Sequence, residues 1–151
     1  MRPTGETLRL IEEAFASAPR PPDGKLLHEE CHDDMDIEPL YGIPRWQDVL
    51  DDVVEGAYAA LFFLSPAGFR HFLPAYMSWA LRHPDSAAAV VDSTIFALTP
   101  SSDPSLRAFS LSKFTLLDAG QRSAVVAFLE AKAEHTDVCA ALDHWRRAEG
   151  Q

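Results

Sequence analysis

Residues 61–100 read LFFLSPAGFRHFLPAYMSWALRHPDSAAAVVDSTIFALTP, the densest apolar and aromatic stretch of the chain. Ser65 followed by Pro66 is typical of a helix start, because serine caps the first turn and proline at the first helical position forfeits no hydrogen bond. Pro74 lies inside the helix that follows, so we expect a kink there. The residues at helical spacing that we expect to face the core are Phe69, Phe72, Leu73, Tyr76, Met77 and Ala80.

A second helix is predicted in the same stretch, after Pro84. Asp85 is placed to cap it, and it ends at Thr99-Pro100, since proline cannot continue a helix. Its inward positions are predicted to be Val90, Val91, Ile95, Phe96 and Leu98.

The flanking segments also favour helices. Apolar spacing predicts helices over residues 4–17 and over Trp46–Val54. Asp118, with Gln121 three residues later, has the spacing of a capping box and predicts a helix start, and Thr136 is placed to cap the last helix. In that last helix we expect Val138, Leu142 and Trp145 to face inward.

Two segments are ambiguous. Residues 57–64 (AYAALFFL) fit either a buried strand or a helix, and we favour a helix because no second strand-like run is available to pair with a strand. Leu106–Leu117 is expected to be irregular or a short helical turn. The sequence as a whole predicts one all-α domain over residues 1–151, with five to seven helices and a proline-kinked central helix.

Composition narrows the class of function. A chain of 151 residues with 47% apolar residues is long enough to bury one core. The formal net charge of −10 argues against nucleic acid or an anionic membrane as partner and favours a basic protein. Two cysteines are too few for a disulfide framework, and we see neither a signal peptide nor a run of ~20 apolar residues, so we expect a cytoplasmic protein.

Residues 61–77, LFFLSPAGFRHFLPAYM, resemble a family of small uncharacterised bacterial proteins with an FLSPxAFRxFLPAY-like signature. Residues 92–100, 111–112 and 121–130 are similar to the same family, and Trp46 also fits, so that the resemblance covers about residues 40–132. The resemblance implies a bacterial domain of unknown function. It brings no catalytic residues with it.

His28-Glu29-Glu30-Cys31-His32 is a literal H-E-x-x-H and resembles the zincin metalloprotease motif. On a helix the two imidazoles would share a face and bind Zn²⁺, with Glu29 as general base. The third ligand would come from Cys31 or from a nearby carboxylate, for which Glu38, Asp51, Asp52 and Glu55 are candidates.

No strand series accompanies the motif, and Met35 and Glu38 stand where the extended metzincin pattern needs glycine and histidine. A solvated acidic surface with incidental histidines is therefore the favoured interpretation, ahead of a non-catalytic metal site and of a protease.

Other polar residues carry structural expectations. Cys139 is expected to be a small core residue of the last helix. Arg70 and His71 are expected to lie at the surface with their stems along the helix. Tyr76 and Trp79 are expected to fill the core with their polar ends near the surface.

These observations favour a non-enzymatic interaction protein that binds a basic partner, of which immunity proteins that neutralise basic toxins are one type. The alternative is a zinc-dependent hydrolase built on His28, Glu29 and His32, with Cys31 or Glu38 completing the metal site. In the favoured interpretation there is no catalytic residue, no cofactor and no metal. The sequence does not specify an oligomeric state.

Overall fold

A computed structural model describes residues 2–135 and 137–149. Over these residues the chain forms α-helices and short 3-10 turns, and its only extended pairing is an isolated antiparallel bridge between Leu27 and Leu64. The predicted all-α fold class is confirmed, and the described part contains seven helices. The helices are α1 (Thr4–Phe15), α2 (Asp51–Gly56), α3 (Pro66–Arg82), α4 (Ala89–Ala97), α5 (Pro104–Phe114), α6 (Ala119–Ala131) and α7 (Val138–Glu149). The 3-10 turns are Asp23–Lys25, Glu38–Leu40, Trp46–Asp48 and Ala60–Phe62.

Helix α3 lies at the centre of the fold. It packs against α1, α2, α4, α5 and α6, and twelve of its seventeen residues are buried. Ser65 caps it as predicted, since the Ser65 hydroxyl accepts a hydrogen bond from the Gly68 N–H at 3.1 Å. The helix runs without a break through Pro74. The predicted inward face is confirmed, because each of its six residues is fully buried: Phe69, Phe72, Leu73, Tyr76, Met77 and Ala80.

The outer helices are joined to one another by packing and by buried hydrogen bonds. Helix α6 packs against both α1 and α7. The indole N–H of Trp145 on α7 donates to the Leu98 carbonyl at the end of α4, at 2.8 Å. Val138, Leu142 and Trp145 face inward, as the spacing predicts, whereas Thr136, the predicted cap, lies outside the described residues.

The segment from Trp46 to Leu64 differs from its prediction. The single helix expected over Trp46–Val54 is divided into the 3-10 turn Trp46–Asp48 and helix α2, because Val49 and Leu50 between them are extended, with ψ angles of 117° and 155°. Residues 57–64 are neither a strand nor an α-helix. They form a turn and the short 3-10 turn Ala60–Phe62.

Helix α4 begins later than predicted. Ala88 precedes its first residue and no side chain caps it, so Asp85 is not the N-cap. The spacing predicts that Phe96 faces inward, but this residue is 67% exposed. The buried face of α4 runs instead through Val91, Thr94, Ile95 and Leu98, which leaves residue 96 on the opposite side.

Helix α5 is a full helix of eleven residues where the sequence predicts an irregular segment or a short helical turn over Leu106–Leu117. The Asp103 carboxylate accepts a hydrogen bond from the Ser105 N–H at 3.0 Å, and Pro104 occupies the first helical position. Only Lys113 and Phe114 of this helix are buried. Because most of the helix faces solvent, its apolar period is weak and the sequence pattern did not reveal it.

The chain contains no helix, among the residues described, that is long and apolar enough to cross a membrane.

Helix α6 begins with the predicted capping box. The Asp118 carboxylate accepts a hydrogen bond from the Gln121 N–H at 2.8 Å, and the Gln121 side-chain oxygen accepts one from the Asp118 N–H at 3.0 Å. The prediction of a helix start at Asp118 is confirmed.

Replacing Asp118 should destabilise the fold measurably. Asp118→Ala removes the acceptor of an N-terminal amide and a negative charge at the helix N-terminus, and we expect a loss of about 1 kcal/mol in the free energy of unfolding. Asp118→Asn is the control, since asparagine keeps the acceptor and should lose less. Chemical denaturation of the three proteins measures both effects, and equal midpoints for Asp118→Ala and the parent would contradict this account of the cap.

Candidate functional site

The negative charge of the protein is concentrated in one segment. Residues 26–56, which we call the acidic segment, contain ten carboxylates and one arginine, and so carry nine of the ten net negative charges. Eight of the ten carboxylates are exposed, and two, Asp34 and Asp51, are half-buried. The ten are Glu29, Glu30, Asp33, Asp34, Asp36, Glu38, Asp48, Asp51, Asp52 and Glu55.

The acidic segment is held in place although its first half contains no α-helix. Arg20 donates hydrogen bonds to the carbonyls of Leu40 and Ile43, and the Tyr41 hydroxyl donates to the Asp34 carboxylate at 2.8 Å. Burial, together with the Asp34 carboxylate, raises the pKa of Tyr41 to about 12, so this hydrogen bond persists at neutral pH. The segment therefore presents its carboxylates from a fixed backbone.

Apolar side chains interrupt the acidic surface. Met35 is 68% exposed and Leu50 is 66% exposed, and Tyr58 just beyond the segment is 45% exposed. Helix α2 packs beside the 3-10 turn Glu38–Leu40, so the two halves of the acidic segment are neighbours in space. Carboxylates and exposed apolar groups thus share one region of the surface.

The H-E-x-x-H motif lies in this segment but is not helical. His28 follows the bridge between Leu27 and Leu64, and its N–H donates to the Phe63 carbonyl at 2.8 Å. A turn follows, in which the Cys31 N–H donates to the His28 carbonyl at 2.9 Å. The helical repeat that would place both imidazoles on one face is therefore absent from residues 28–32.

The two histidines have different surroundings. The His28 ring is buried and lies on Phe109, with 4.1 Å between the ring centroids, and its Nδ1 accepts a hydrogen bond from the Glu30 N–H at 3.1 Å. Burial lowers the pKa of His28, and the nearby Lys113 ammonium lowers it further. His32 is exposed to solvent. Only His28 is part of the packed structure.

The remaining proposed metal ligands do not complete a cluster. Glu29 and Glu38 are exposed, and Cys31 is partly buried. Across residues 2–135 and 137–149, no group of three or more histidine, cysteine, aspartate or glutamate side chains is arranged to hold a metal ion. Zinc catalysis requires three protein ligands and one open position, and residues 28–38 do not assemble this set.

A cleft of about 690 Å³ opens beside residues 30 and 31, between the 3-10 turn Ala60–Phe62, the end of α4 and helix α5. Its walls are mainly apolar. Phe96, whose exposure contradicted the sequence prediction, lies at this cleft and contacts Phe62, with 5.7 Å between the ring centroids. The large aromatic and aliphatic side chains that line it are Leu61, Phe62, Phe63, Phe96, Leu106 and Phe109.

Lys113 also lines this cleft, and the residue is only 3% exposed. Its ammonium donates hydrogen bonds to the carbonyls of Leu61 at 2.9 Å and Phe62 at 2.8 Å, and it lies 4.4 Å from the centre of the Phe109 ring. Burial lowers the pKa of Lys113 to about 7, an effect that the nearby Cys31 partly opposes. A cationic group is thus fixed in an apolar wall.

The sequence did not reveal Lys113 as a notable residue. Its local signal is the four-residue spacing of Phe109 and Lys113, which places an aromatic ring and an amine on one face of a helix. That signal becomes readable only when residues 104–114 are recognised as a helix. The acceptors of the ammonium lie more than fifty residues earlier in the chain and have no local signal at all.

Two expectations for isolated residues are wrong. Cys139 is exposed, because the inward face of α7 runs through Val138, Ala141 and Leu142. His71 is buried, and its Nδ1–H donates to the Ala18 carbonyl at 2.9 Å.

Tyr76 and Trp79 fill the core as expected, but the polar end of neither residue reaches the surface. The indole nitrogen of Trp79 is buried. The Tyr76 hydroxyl donates to the buried Ala57 carbonyl at 2.7 Å, and burial raises the pKa of Tyr76.

Comparison with known proteins places the chain in a family. The family model described as "Family of unknown function (DUF6714)" matches residues 4–149. The chain belongs to DUF6714. The match includes the acidic segment and the cleft, and it extends beyond residues 40–132, to which the sequence resemblance was confined. The FLSPxAFRxFLPAY-like signature and a bacterial origin for DUF6714 stay predictions. No curated protein and no solved structure matches the chain.

The metal content of the purified protein is a direct test of the H-E-x-x-H motif. Because residues 28–32 form a turn and His32 points to solvent, we expect far less than one zinc per chain in protein purified without a histidine tag. Elemental analysis measures this content.

The double variant His28→Ala, His32→Ala, which lacks both proposed histidine ligands, is the control for this measurement. It should keep the helical circular dichroism of the parent, with some loss of stability from removing the His28 ring from Phe109, whereas His32→Ala alone should change stability by less than about 0.5 kcal/mol. One zinc per chain in the parent, lost in the double variant, would contradict the expectation and favour the hydrolase.

Proposed function

We propose that the protein is a non-enzymatic interaction module that binds a basic protein partner through the acidic segment. The observation that carries this proposal is the concentration of nine of the ten net negative charges on residues 26–56, on an exposed surface that also presents Met35 and Leu50. Specific protein interfaces combine complementary charge, which steers association, with apolar area that is buried on binding.

The charge distribution supports a cationic partner. Exposed carboxylates closer together than the Debye length of about 8 Å at physiological ionic strength add their fields, and such a field accelerates the encounter with a surface of opposite charge. The same field repels phosphates and anionic lipid head groups. Arg45, the single basic side chain of the segment, is already paired with Asp48.

The exposed apolar side chains support a protein rather than a free cation. Met35 and Leu50 contribute apolar area that a partner would remove from water, and a methionine adapts its shape to different partner surfaces. A polyamine or a metal ion would gain little from these residues. A protein surface with basic and apolar side chains would use both.

The ordered backbone of the acidic segment supports binding with little loss of conformational entropy. The hydrogen bonds from Arg20 and Tyr41 fix the backbone of the first half of the segment before any partner arrives. A surface that is already ordered loses less conformational entropy on binding than a flexible loop does.

Immunity proteins that neutralise basic toxins provide an example of this kind of surface, and the comparison is one of surface chemistry alone. The alternative of a zinc-dependent hydrolase built on His28, Glu29 and His32 has no comparable support, because the two imidazoles do not share a helical face.

Neutralising part of the acidic segment should weaken the interaction. The variant Glu29→Gln, Asp36→Asn, Glu38→Gln removes three exposed carboxylates for which no side-chain hydrogen bond or ion pair is found among the described residues. We expect association with the partner to slow by at least about tenfold at low salt, because steering depends on the summed charge. The measurement is quantitative affinity capture from an extract of the source organism, followed by binding kinetics on the retained protein.

The control variant Glu12→Gln, Glu13→Gln, Glu134→Gln removes the same charge from exposed positions outside the acidic segment. Retention of one basic protein by the parent and the control, but not by the acidic-segment variant, is the expected result. Equal retention by both variants, or retention of an acidic protein only, would contradict the proposal.

A further inference from the structure

The cleft beside the acidic segment has the features of a small-molecule site. We propose that it binds an amphipathic monocarboxylate, an aryl- or alkyl-substituted carboxylic acid, whose carboxylate accepts a hydrogen bond from Lys113 Nζ and whose apolar chain lies along the phenyl rings. This site adjoins the partner surface of the proposed function, since Glu30 and Cys31 of the acidic segment line the cleft, but ligand binding here does not require that surface to bind a partner.

The size and lining of the cleft fit such a ligand. A volume of about 690 Å³ falls within the range of about 300–1,000 Å³ that is usual for small-molecule sites. The walls are mostly aromatic and aliphatic, and Lys113 is the only basic side chain among the residues that line the cleft. Mainly apolar walls with a few fixed polar groups are typical of sites that orient a small amphipathic molecule.

The hydrogen bonds of Lys113 prepare it to receive an anion. An ammonium group has three N–H donors, and two of them are donated to the carbonyls of Leu61 and Phe62. Both acceptors are backbone carbonyls of the 3-10 turn Ala60–Phe62. Because a backbone acceptor moves less than a side chain does, the Nζ of Lys113 is held in a fixed position. The third N–H is left for a ligand.

The charge of Lys113 is not balanced within the described part of the protein. None of the ion pairs found between residues 2 and 149 includes this ammonium. Its Nζ also lies 4.4 Å from the ring centre of Phe109 and 5.8 Å from that of Phe69, and phenyl faces stabilise a cation weakly compared with a carboxylate. A ligand carboxylate would supply the opposite charge that a buried cation requires.

The same surroundings favour a single negative charge over a phosphate. One cation faces the cleft, whereas a phosphate dianion generally needs several positive groups or a helix N-terminus. Glu30 lies at the edge of the cleft and repels anions, more strongly when they carry two charges. A monocarboxylate with an apolar chain is the class that satisfies both the lysine and the phenyl rings.

The protonation state of Lys113 gives the site a pH dependence. Besides the ammonium, the titratable groups nearby are His28, Cys31 and Glu30, all from the turn after Leu27. Because burial lowers the pKa of Lys113 to about 7, the fraction of ammonium falls as the pH rises above neutrality. Carboxylate binding that requires the ammonium should weaken over the same range, whereas an ordinary exposed lysine would stay charged.

The test uses three ligands of one shape on the parent protein: 4-phenylbutyrate, 4-phenylbutanol and 4-phenylbutylamine. Titration followed by calorimetry, or by NMR shifts of the Phe96 and Phe109 rings, gives the dissociation constants. We expect the carboxylate to bind at least about tenfold more tightly than the alcohol near pH 6, and the amine to bind least. Between about pH 6 and about pH 8.5 the dissociation constant of the carboxylate should rise severalfold, following the loss of ammonium, while that of the alcohol stays constant.

Two variants locate the effect. Lys113→Met removes the ammonium and keeps an unbranched apolar side chain one atom shorter, and it should abolish the preference for carboxylate over alcohol while leaving alcohol binding in place. Glu30→Gln removes a repelling charge at an exposed position and should tighten carboxylate binding. If Lys113→Met does not fold, the pH series on the parent and the affinity of Glu30→Gln for the carboxylate still test the proposal. Equal binding of carboxylate and alcohol at both pH values, or no carboxylate binding at millimolar concentration, would overturn the proposal.

Discussion

Burial of α3 on all sides is the constraint on which the rest of the structure depends. A helix with twelve of seventeen residues buried must be covered by other elements, and α1, α2, α4, α5 and α6 each contribute part of that cover. Pro74 inside this helix provides no N–H for the carbonyl one turn earlier, a loss that packing on every side offsets. These five helices are short, and packing against α3 stabilises them where their length alone would not.

The start of α3 links the core to both functional surfaces. The Ser65 hydroxyl caps the helix and donates to the Lys25 carbonyl at 2.8 Å, and the Ser65 N–H donates to the Leu26 carbonyl at 2.6 Å. Gly68 permits this approach, since a Cβ there would lie 3.3 Å from the Leu26 carbonyl oxygen and 3.2 Å from two leucine methyl groups. The contact places the turn after Leu27 beside Lys113, so that the acidic segment begins where the cleft ends.

Sequence reasoning succeeded where the signal is local. The caps at Ser65 and Asp118 and the inward faces of α3 and α7 follow from spacing within a few residues. It failed for α5, although Asp103-Pro104 is the same kind of start as Ser65-Pro66, because an exposed helix has little apolar period. The prediction that Phe96 faces inward also failed, because the sequence does not show which apolar residues of α4 pack against another element. The acidic segment could be predicted from composition, whereas the Lys113 site depends on contacts between residues far apart in the chain.

Native-state hydrogen exchange tests most directly whether α3 organises the fold. If its burial is the common constraint, the amides of Phe72, Tyr76 and Met77 should exchange only through global unfolding, and their opening free energy should equal the free energy of unfolding measured with denaturant. Most of α5 is exposed, so its amides should open at lower free energy. Exchange of the α3 amides at the rate of the α5 amides would contradict the account.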